Sequence, residues 1–240
     1  MTGESAPRVG GDQFVYEQSK IREGDETSGK VVTGPLMSSE TWYSQRPGPV
    51  KQLGEYRQDG ERGRMNGELG EDDGMRPGLS RPTYRWKASL PTDPDKLLEY
   101  LYAKAHNGAD QERDQEVFNQ IRGLAGGVVP PRFAGTAYEA AGRIPGVVRA
   151  PGAHDAIGRT GVGIARTDTS SGERSEWVFD ADSLRYLGCR TYLTEDSSRG
   201  KKGALLFSEA VLRIGVVDKS GTAPTDDQIV ASTPPRRAGS

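Results

Sequence analysis

The feature that most constrains the fold is a helical block lying between two strand-like blocks. The helical block opens with Leu90-Pro91-Thr92-Asp93-Pro94, where Thr92 or Asp93 suits an N-cap and Pro94 a first helical turn. It closes with Arg143-Ile144-Pro145-Gly146-Val147. On either side, aromatic and apolar residues alternate with polar ones, which is typical of half-buried strands. The short gaps between these strands favour antiparallel pairing, because parallel crossovers need a dozen or more residues.

Within the helical block, at about residues 92–145, apolar residues recur at the spacing of three amphipathic helices. The first ends at Asn107-Gly108, the second covers about residues 111–125, and Pro130-Pro131 begins the third. Three short amphipathic helices must bury their apolar faces, and the sheet is the available surface. The sequence therefore predicts an α+β fold: a curved, largely antiparallel, half-barrel-like sheet with about three helices packed on one face.

We expect one domain over residues 13–217. Residues 1–12 are small and polar and predict a flexible lead-in, and residues 218–240 predict a largely irregular tail. Residues 59–82 contain almost nothing to bury, which indicates a long mobile loop. The segment 84–88 alternates aromatic and basic residues, so we expect a strand or an extended lead-in there.

Composition and charge exclude several classes of protein. The chain has 240 residues, 34 acidic and 32 basic, and a net charge of −2, so no field is strong enough to collect nucleic acid or anionic lipid. Cys189 is the only cysteine, which excludes an intramolecular disulfide and a multi-thiolate zinc site within the chain. The sequence has no run of about 18 or more apolar residues and no signal peptide at its N-terminus, so we expect the chain as given to be soluble.

Two glycine-containing stretches resemble phosphate-binding motifs only in part. Residues 24–30 fit the first seven positions of a P-loop, but Val31 stands where a Ser or Thr must meet Mg²⁺. Asp25 and Glu26 would repel phosphate, and Pro35 prevents the required helix, so a hairpin loop is the better interpretation. Gly158, Gly161 and Gly163 have the wrong order for a dinucleotide loop and indicate a turn that enters a strand.

No cofactor, metal or catalytic site is predicted. The acidic run 71–73 lacks the ligand spacing of an EF-hand and is better interpreted as a solvated loop. His106 and His154 are the only histidines, and His154-Asp155 with Cys189 or a serine would suit a hydrolase. However, His154 lies in a predicted turn and Cys189 in an apolar strand, where thiols are usually inert. A hydrolase that uses His154 is therefore the last of three alternatives, and we expect no enzyme.

Six aromatic residues are the candidates for a binding site. If several of them face the concave side of a curved sheet, they would line an apolar pocket, whereas the competing interpretation is ordinary core packing. The six residues are Tyr16, Trp42, Tyr43, Tyr84, Trp86 and Trp177. An apolar-ligand or lipid carrier is therefore the second functional alternative.

Several short motifs, taken in order, resemble an uncharacterised actinobacterial family of single-pass membrane proteins, often encoded beside extracytoplasmic-function sigma factors. They are Gln13-Phe14-Val15-Tyr16, Glu40-Thr41-Trp42-Tyr43, Leu90-Pro91-Thr92-Asp93-Pro94-Asp95-Lys96-Leu97-Leu98, Val117-Phe118 with Ile121, Val129-Pro130-Pro131, Ile144-Pro145-Gly146-Val147 and Trp177-Val178-Phe179-Asp180. The resemblance covers about residues 13–217 and rests on ordered short motifs rather than on a catalytic signature. The element order is also similar to the half-barrel of periplasmic lipoprotein carriers and of sensors that restrain anti-sigma factors.

The resemblance implies that this chain is the extracytoplasmic domain of a membrane-anchored protein, and that Met1 is not the natural start. The family's membrane helix is missing from the chain, which is a departure from the family pattern. The family implies no catalytic residues. The first functional expectation is therefore a non-catalytic, extracytoplasmic sensing or interaction domain linked to envelope-stress signalling. Its expected partner is an anti-sigma factor or another envelope protein, with no nucleic acid.

Overall fold

A computed structural model of the protein describes residues 7–25, 30–67, 74–106 and 112–232. These residues form an α+β fold, in which one open, eleven-stranded antiparallel sheet packs against helices. The fold class predicted from the sequence is therefore confirmed.

The strands alternate with turns in two blocks, and the helices lie between them. The strands are β1 (Phe14–Asp25), β2 (Val32–Thr33), β3 (Met37–Ser44), β4 (Gln52–Gln58), β5 (Glu61–Asn66), β6 (Val148–Arg149), β7 (Val162–Asp168), β8 (Glu173–Phe179), β9 (Tyr186–Leu193), β10 (Leu205–Val217) and β11 (Ile229–Ser232). The helices are α1 (Tyr84–Lys87), α2 (Pro94–Tyr102), α3 (Arg113–Ala125) and α4 (Phe133–Arg143).

The two ends of the domain meet in the middle of the sheet. The strand order is β5-β4-β3-β1-β10-β9-β8-β7-β6, so β1 lies beside β10. The register pairs Phe14 with Val217 and Glu23 with Phe207, with one irregularity after Gln18. Two short strands lie off this path, where β2 pairs with β1 and β11 with β10. The helices therefore form an insertion between two halves of a single sheet.

The main core lies between the sheet and the helices α2, α3 and α4. Side chains alternate along β1, so Val15 packs into this core while Tyr16 points to the opposite face. Trp177 is fully buried and stacks on Phe118 of α3, with ring centroids 3.6 Å apart. Burial of aromatic area on this scale dominates core energetics. The helix that carries Phe118 is thereby held against the sheet.

The three predicted helices are present as α2, α3 and α4. The start of α2 is fixed by Asp93, whose carboxylate accepts hydrogen bonds from the backbone N–H groups of Asp95 (3.1 Å) and Lys96 (3.0 Å). Pro94 occupies the first turn, where its missing N–H costs nothing. The end of the block also agrees with the sequence, because α4 ends at Arg143 and Ile144 is extended.

The segment 84–88 was expected to be extended, and that prediction is wrong. Residues Tyr84–Lys87 form the one-turn helix α1. The extended Thr83 caps this turn by accepting a hydrogen bond from the N–H of Trp86. Tertiary contacts outweigh the strand-like alternation here, since Lys87 is buried beneath the end of α3.

The mobile loop expected at residues 59–82 is also partly wrong. Residues Glu61–Asn66 form β5, which pairs with β4 across the tight turn Asp59-Gly60. Both turn residues have positive φ, 45° and 94°, as a two-residue hairpin requires. The strand carries almost no apolar residue, so its period was invisible in the sequence. The acidic run 71–73 lies outside the described residues.

The segment after Val217 contains more structure than an irregular tail. Thr225 caps a 3₁₀ turn at Asp226–Gln228, and β11 follows beside β10. Upstream of this turn, the carbonyl of Thr222 accepts a hydrogen bond from the indole N–H of Trp42 at 2.7 Å. None of the described helices is long and apolar enough to cross a bilayer.

Candidate functional site

A cavity of about 370 Å³ lies between the sheet and the helices, beside α1 and the carboxyl end of α3. We call it the α1 cavity. Its walls are largely apolar, and five charged side chains also line it. The apolar and aromatic lining includes Val15, Tyr43, Leu53, Leu79, Tyr84 and Val128, and the charged lining is Glu17, Arg81, Lys87, Arg122 and Glu209. A cavity of this size and character is typical of small-molecule sites.

Glu17 reaches the cavity because it alternates with Val15 on the helix-facing side of β1. Its carboxylate accepts a hydrogen bond from the backbone N–H of Gly127 at 3.1 Å. Gly127 has φ +62°, so the turn after α3 needs glycine to present this N–H. Burial, with repulsion from Glu209, raises the pKa of Glu17 to about 7.

Lys87 approaches the same cavity from α1 and is 3% exposed. Its ammonium donates to the carbonyls of Gly126 at 2.9 Å and Leu124 at 3.5 Å. These carbonyls belong to the carboxyl end of α3, where the helix dipole favours a cation. Burial lowers the pKa of Lys87 to about 7, although the charge of Glu17 opposes the shift.

The sheet side of the cavity carries Glu209 and Tyr186 on neighbouring strands. The hydroxyl of Tyr186 donates to Glu209 at 3.2 Å. Burial raises the pKa of both groups. Cys189 pairs with Glu209 across β9 and β10, and burial raises the pKa of its thiol to about 11. The thiol is therefore protonated at neutral pH and is a poor nucleophile.

Arg122 faces these sheet residues from α3. Its polar neighbours are Tyr186 and Cys189, and it forms no salt bridge with a carboxylate among the described residues. Burial by itself lowers the pKa of Arg122, but Cys189, Tyr186 and Glu209 together outweigh burial and raise it. The guanidinium therefore stays charged beside the cavity.

Arg122 also lines a second cavity of about 540 Å³, which we call the polar cavity. Its hydrogen-bonding side chains come from α3, from β7, β8 and β9, and from the loops at Ser171 and Arg199. They include Gln115, Asn119, Ser175 and Thr191, and Glu173 and Arg199 form an ion pair at its wall. Trp177 and Phe207 supply part of the apolar surface. Arg122 thus contributes to the lining of two cavities of different chemistry.

The six predicted aromatic residues are divided among several places. Tyr43 and Tyr84 line the α1 cavity, and Trp177 lines the polar cavity. Trp86 is partly buried against the main core. Tyr16 and Trp42 pack against each other on the opposite face of the sheet, with centroids 5.4 Å apart. The structure therefore brings only two of the six to one cavity.

The residues considered for hydrolysis do not come together. Cys189 faces the helices, whereas His154 contacts Arg190, the next residue along β9, on the other face of the sheet at 2.9 Å. Asp155 accepts hydrogen bonds from the backbone N–H groups of Ile157 and Arg159 and pairs with the Arg159 guanidinium. Asp155 thus holds its own loop rather than the imidazole of His154.

The motifs interpreted as turns agree with the described structure. Gly24 and Asp25, at the start of the P-loop-like segment, pair in antiparallel fashion with Thr33 and Val32 just beyond its end, as a hairpin requires. Residues 26–29 lie outside the described residues. Gly161 immediately precedes β7 and Gly163 lies within it, where a Cβ at Gly163 would lie 2.0 Å from the carbonyl oxygen of Ala150. Across the described ranges, no cluster of three or more His, Cys, Asp or Glu side chains is arranged to hold a metal ion.

Sequence reasoning missed the ionisable residues of the site. The available signal was charge at positions whose neighbours in the same pattern are apolar. Glu17 shares the face of Val15, Glu209 interrupts the apolar run of β10, and Arg122 follows Phe118 by one helical turn. Lys87 carried no such signal because α1 itself was not predicted.

Comparison with known proteins adds no relative from which a role can be transferred. No family model, no curated protein and no solved structure is significantly similar to this chain, so its resemblance to the actinobacterial membrane-protein family stays a prediction.

Proposed function

We propose that the protein is a non-catalytic binding domain that holds a small amphipathic molecule in the α1 cavity. The observation that supports this proposal is the cavity itself, which has a volume of about 370 Å³, apolar walls and five charged side chains. Apolar walls with a few polar groups are what a ligand site combines: the walls supply affinity and the polar groups supply orientation.

The energetics of the site support this proposal. Burial shifts the pKa values of Glu17 and Lys87 to about 7, because it disfavours the charged form of each group. This desolvation lowers the stability of the folded protein. Such costs concentrate at functional sites. The protonated thiol of Cys189 and its separation from His154 favour binding over hydrolysis. The sensing role, the envelope partner and the extracytoplasmic location expected from the family resemblance stay predictions, and a ligand-binding cavity is compatible with them.

The test uses two glycines that differ only in their place. Gly123 on α3 lines the α1 cavity, and Gly142 on α4 does not; a Cβ at either position would meet nothing within 4 Å. Both leucine variants should fold, since leucine is the better helix former by somewhat less than about 1 kcal/mol. Gly123→Leu places a side chain at the cavity, whereas Gly142→Leu is the matched control.

Decanol is a suitable neutral probe, titrated while the thermal midpoint and tryptophan fluorescence are followed. The wild type and Gly142→Leu should bind decanol saturably and gain thermal stability, as ligand linkage requires. Gly123→Leu should bind at least about tenfold more weakly, because occupying part of the pocket removes on the order of 1.4 kcal/mol of apolar contact. Equal binding by both variants, or no saturable binding by the wild type, would reject the proposal.

A further inference from the structure

We propose that Arg122 anchors an anionic group of the ligand, so that the ligand is an anionic amphiphile. Its apolar part would lie in the α1 cavity, and the remaining polar part would extend into the polar cavity. This inference rests on the proposed function and names the chemistry of the molecule bound there.

Arg122 is half-buried, and it differs from Arg159, which is also half-buried, and from the buried Arg81 and Arg166 in what it contacts. Arg166 pairs with Glu112, and Arg159 pairs with Asp155. Arg81 donates to the backbone carbonyls of Arg46, Gly48 and Met75. Arg122 hydrogen-bonds the hydroxyl of Tyr186 and the thiol of Cys189, and it forms no salt bridge with Glu17 or Glu209, although both interact with its charge. A guanidinium has five N–H donors, so most of those on Arg122 are available to a ligand.

The other charged groups of the α1 cavity already have protein partners. The ammonium of Lys87 donates to Gly126 and Leu124, and the carboxylate of Glu17 accepts from Gly127. Glu209 accepts from Tyr186, and burial raises its pKa, which favours the uncharged acid. None of these contacts is a salt bridge with Arg122, although Glu17 and Glu209 both interact with its charge. A carboxylate or phosphate of a ligand can therefore form two parallel hydrogen bonds with the guanidinium.

The position of Arg122 indicates which end of the ligand is apolar and which is polar. On one side Val15, Leu79 and Val128 offer apolar surface. On the other side Asn119 and Thr191 offer hydrogen-bonding groups. The anionic group of the ligand would thus lie at Arg122, with an apolar hydrocarbon chain in the α1 cavity and a polar headgroup in the polar cavity. A free fatty acid and a phospholipid headgroup share this chemistry and differ in how much they place in the polar cavity.

Decanoate and decanol have the same chain length and differ in the anionic end, so their relative affinity measures the anchor. At about pH 8 the carboxylate is ionised. The wild type should bind decanoate roughly 10- to 100-fold more tightly than decanol, which is the range expected for hydrogen bonds to a charged group. Arg122→Gln should abolish this preference and leave decanol binding within about threefold. The exposed Arg85 gives the control, since Arg85→Gln should keep the preference.

The polar cavity is tested with 1-decanoyl-glycerol 3-phosphate. Asn119 lines the polar cavity but not the α1 cavity. Asn119→Leu should therefore weaken binding of this probe at least about threefold and leave decanol binding unchanged. A tighter wild-type affinity for the phosphate probe than for decanoate would indicate a phospholipid-like ligand, and the reverse a free fatty acid.

The outcomes separate the two proposals. If decanol fails to bind the wild type, the proposed function is rejected. If decanol binds but neither anion binds more tightly, only the anchor is rejected. The anchor is equally rejected if Arg122→Gln keeps the wild-type preference.

If circular dichroism shows that Arg122→Gln does not fold, Arg122→Lys replaces it in the test. Lysine retains the charge but cannot form the two-pronged contact, so a preference that is reduced but present supports the anchor, and an unchanged one overturns it.

Discussion

Glu17 and Lys87 face one cavity and titrate in opposite senses. The folded protein holds the Glu17 proton up to about pH 7, whereas the unfolded chain loses it near 4.5, so this group's contribution to stability falls as pH rises through that window. Lys87 loses its proton near pH 7 in the folded protein and near 10.5 in the unfolded chain, so its contribution rises between these values. Together the two residues predict a minimum in the free energy of unfolding near pH 7.

The variants Glu17→Gln and Lys87→Met should each flatten one side of the minimum in the plot of unfolding free energy against pH. Glu17→Gln removes the decline between about pH 4.5 and 7 that Glu17 causes, leaving the part due to Glu209, whose pKa is also raised. Lys87→Met removes the rise above pH 7. Each change on one side of the minimum should be on the order of 1–3 kcal/mol, measured by urea unfolding across pH. Glu61→Gln, at an exposed position of β5, should leave both sides unchanged. Parallel profiles for wild type and Glu17→Gln would show that Glu17 is not desolvated.

At the scale of elements, the cap of α2 gives the clearest prediction. Asp93→Ala removes the acceptor of two backbone N–H groups and should lower the free energy of unfolding by about 1 kcal/mol. Asp93→Asn keeps a capping oxygen and should lose far less. Urea unfolding with an unchanged m-value measures the difference. If the alanine and asparagine variants lost the same amount, the cap would not be the source of the effect.

Periodicity determined which elements could be predicted from the sequence. The helices α2 to α4 bury one face, and the strands β1 and β7 to β10 carry buried apolar residues, so these elements are visible along the chain. β5 buries almost nothing, and α1 has four residues, so neither has a readable period. The site is harder still, because Glu17, Lys87, Arg122 and Glu209 come from four elements and meet only after the sheet and helices pack.

At the scale of the whole molecule, the chain beyond Val217 belongs to the folded unit. Deleting residues 218–240 removes β11 and the Thr222 carbonyl, leaving the buried indole N–H of Trp42 without an acceptor. The truncated chain should fold with about 1–3 kcal/mol less stability in urea unfolding. The loss should be smaller in a Trp42→Phe background, which has no N–H to orphan. Equal losses in the two backgrounds would mean that this hydrogen bond contributes nothing.

The pairing of β1 with β10 has a consequence for synthesis of the chain on the ribosome. Phe14 pairs with Val217, so the edge of β1 that pairs with β10 stays uncovered until β10 has been synthesised. Until then β1 presents open backbone donors and acceptors on that side, which is a template for pairing with another nascent chain. The closure spans about 200 residues, and contacts of such long range form slowly. Synthesis of β10, rather than formation of the helices, therefore sets the earliest moment at which this sheet can become continuous.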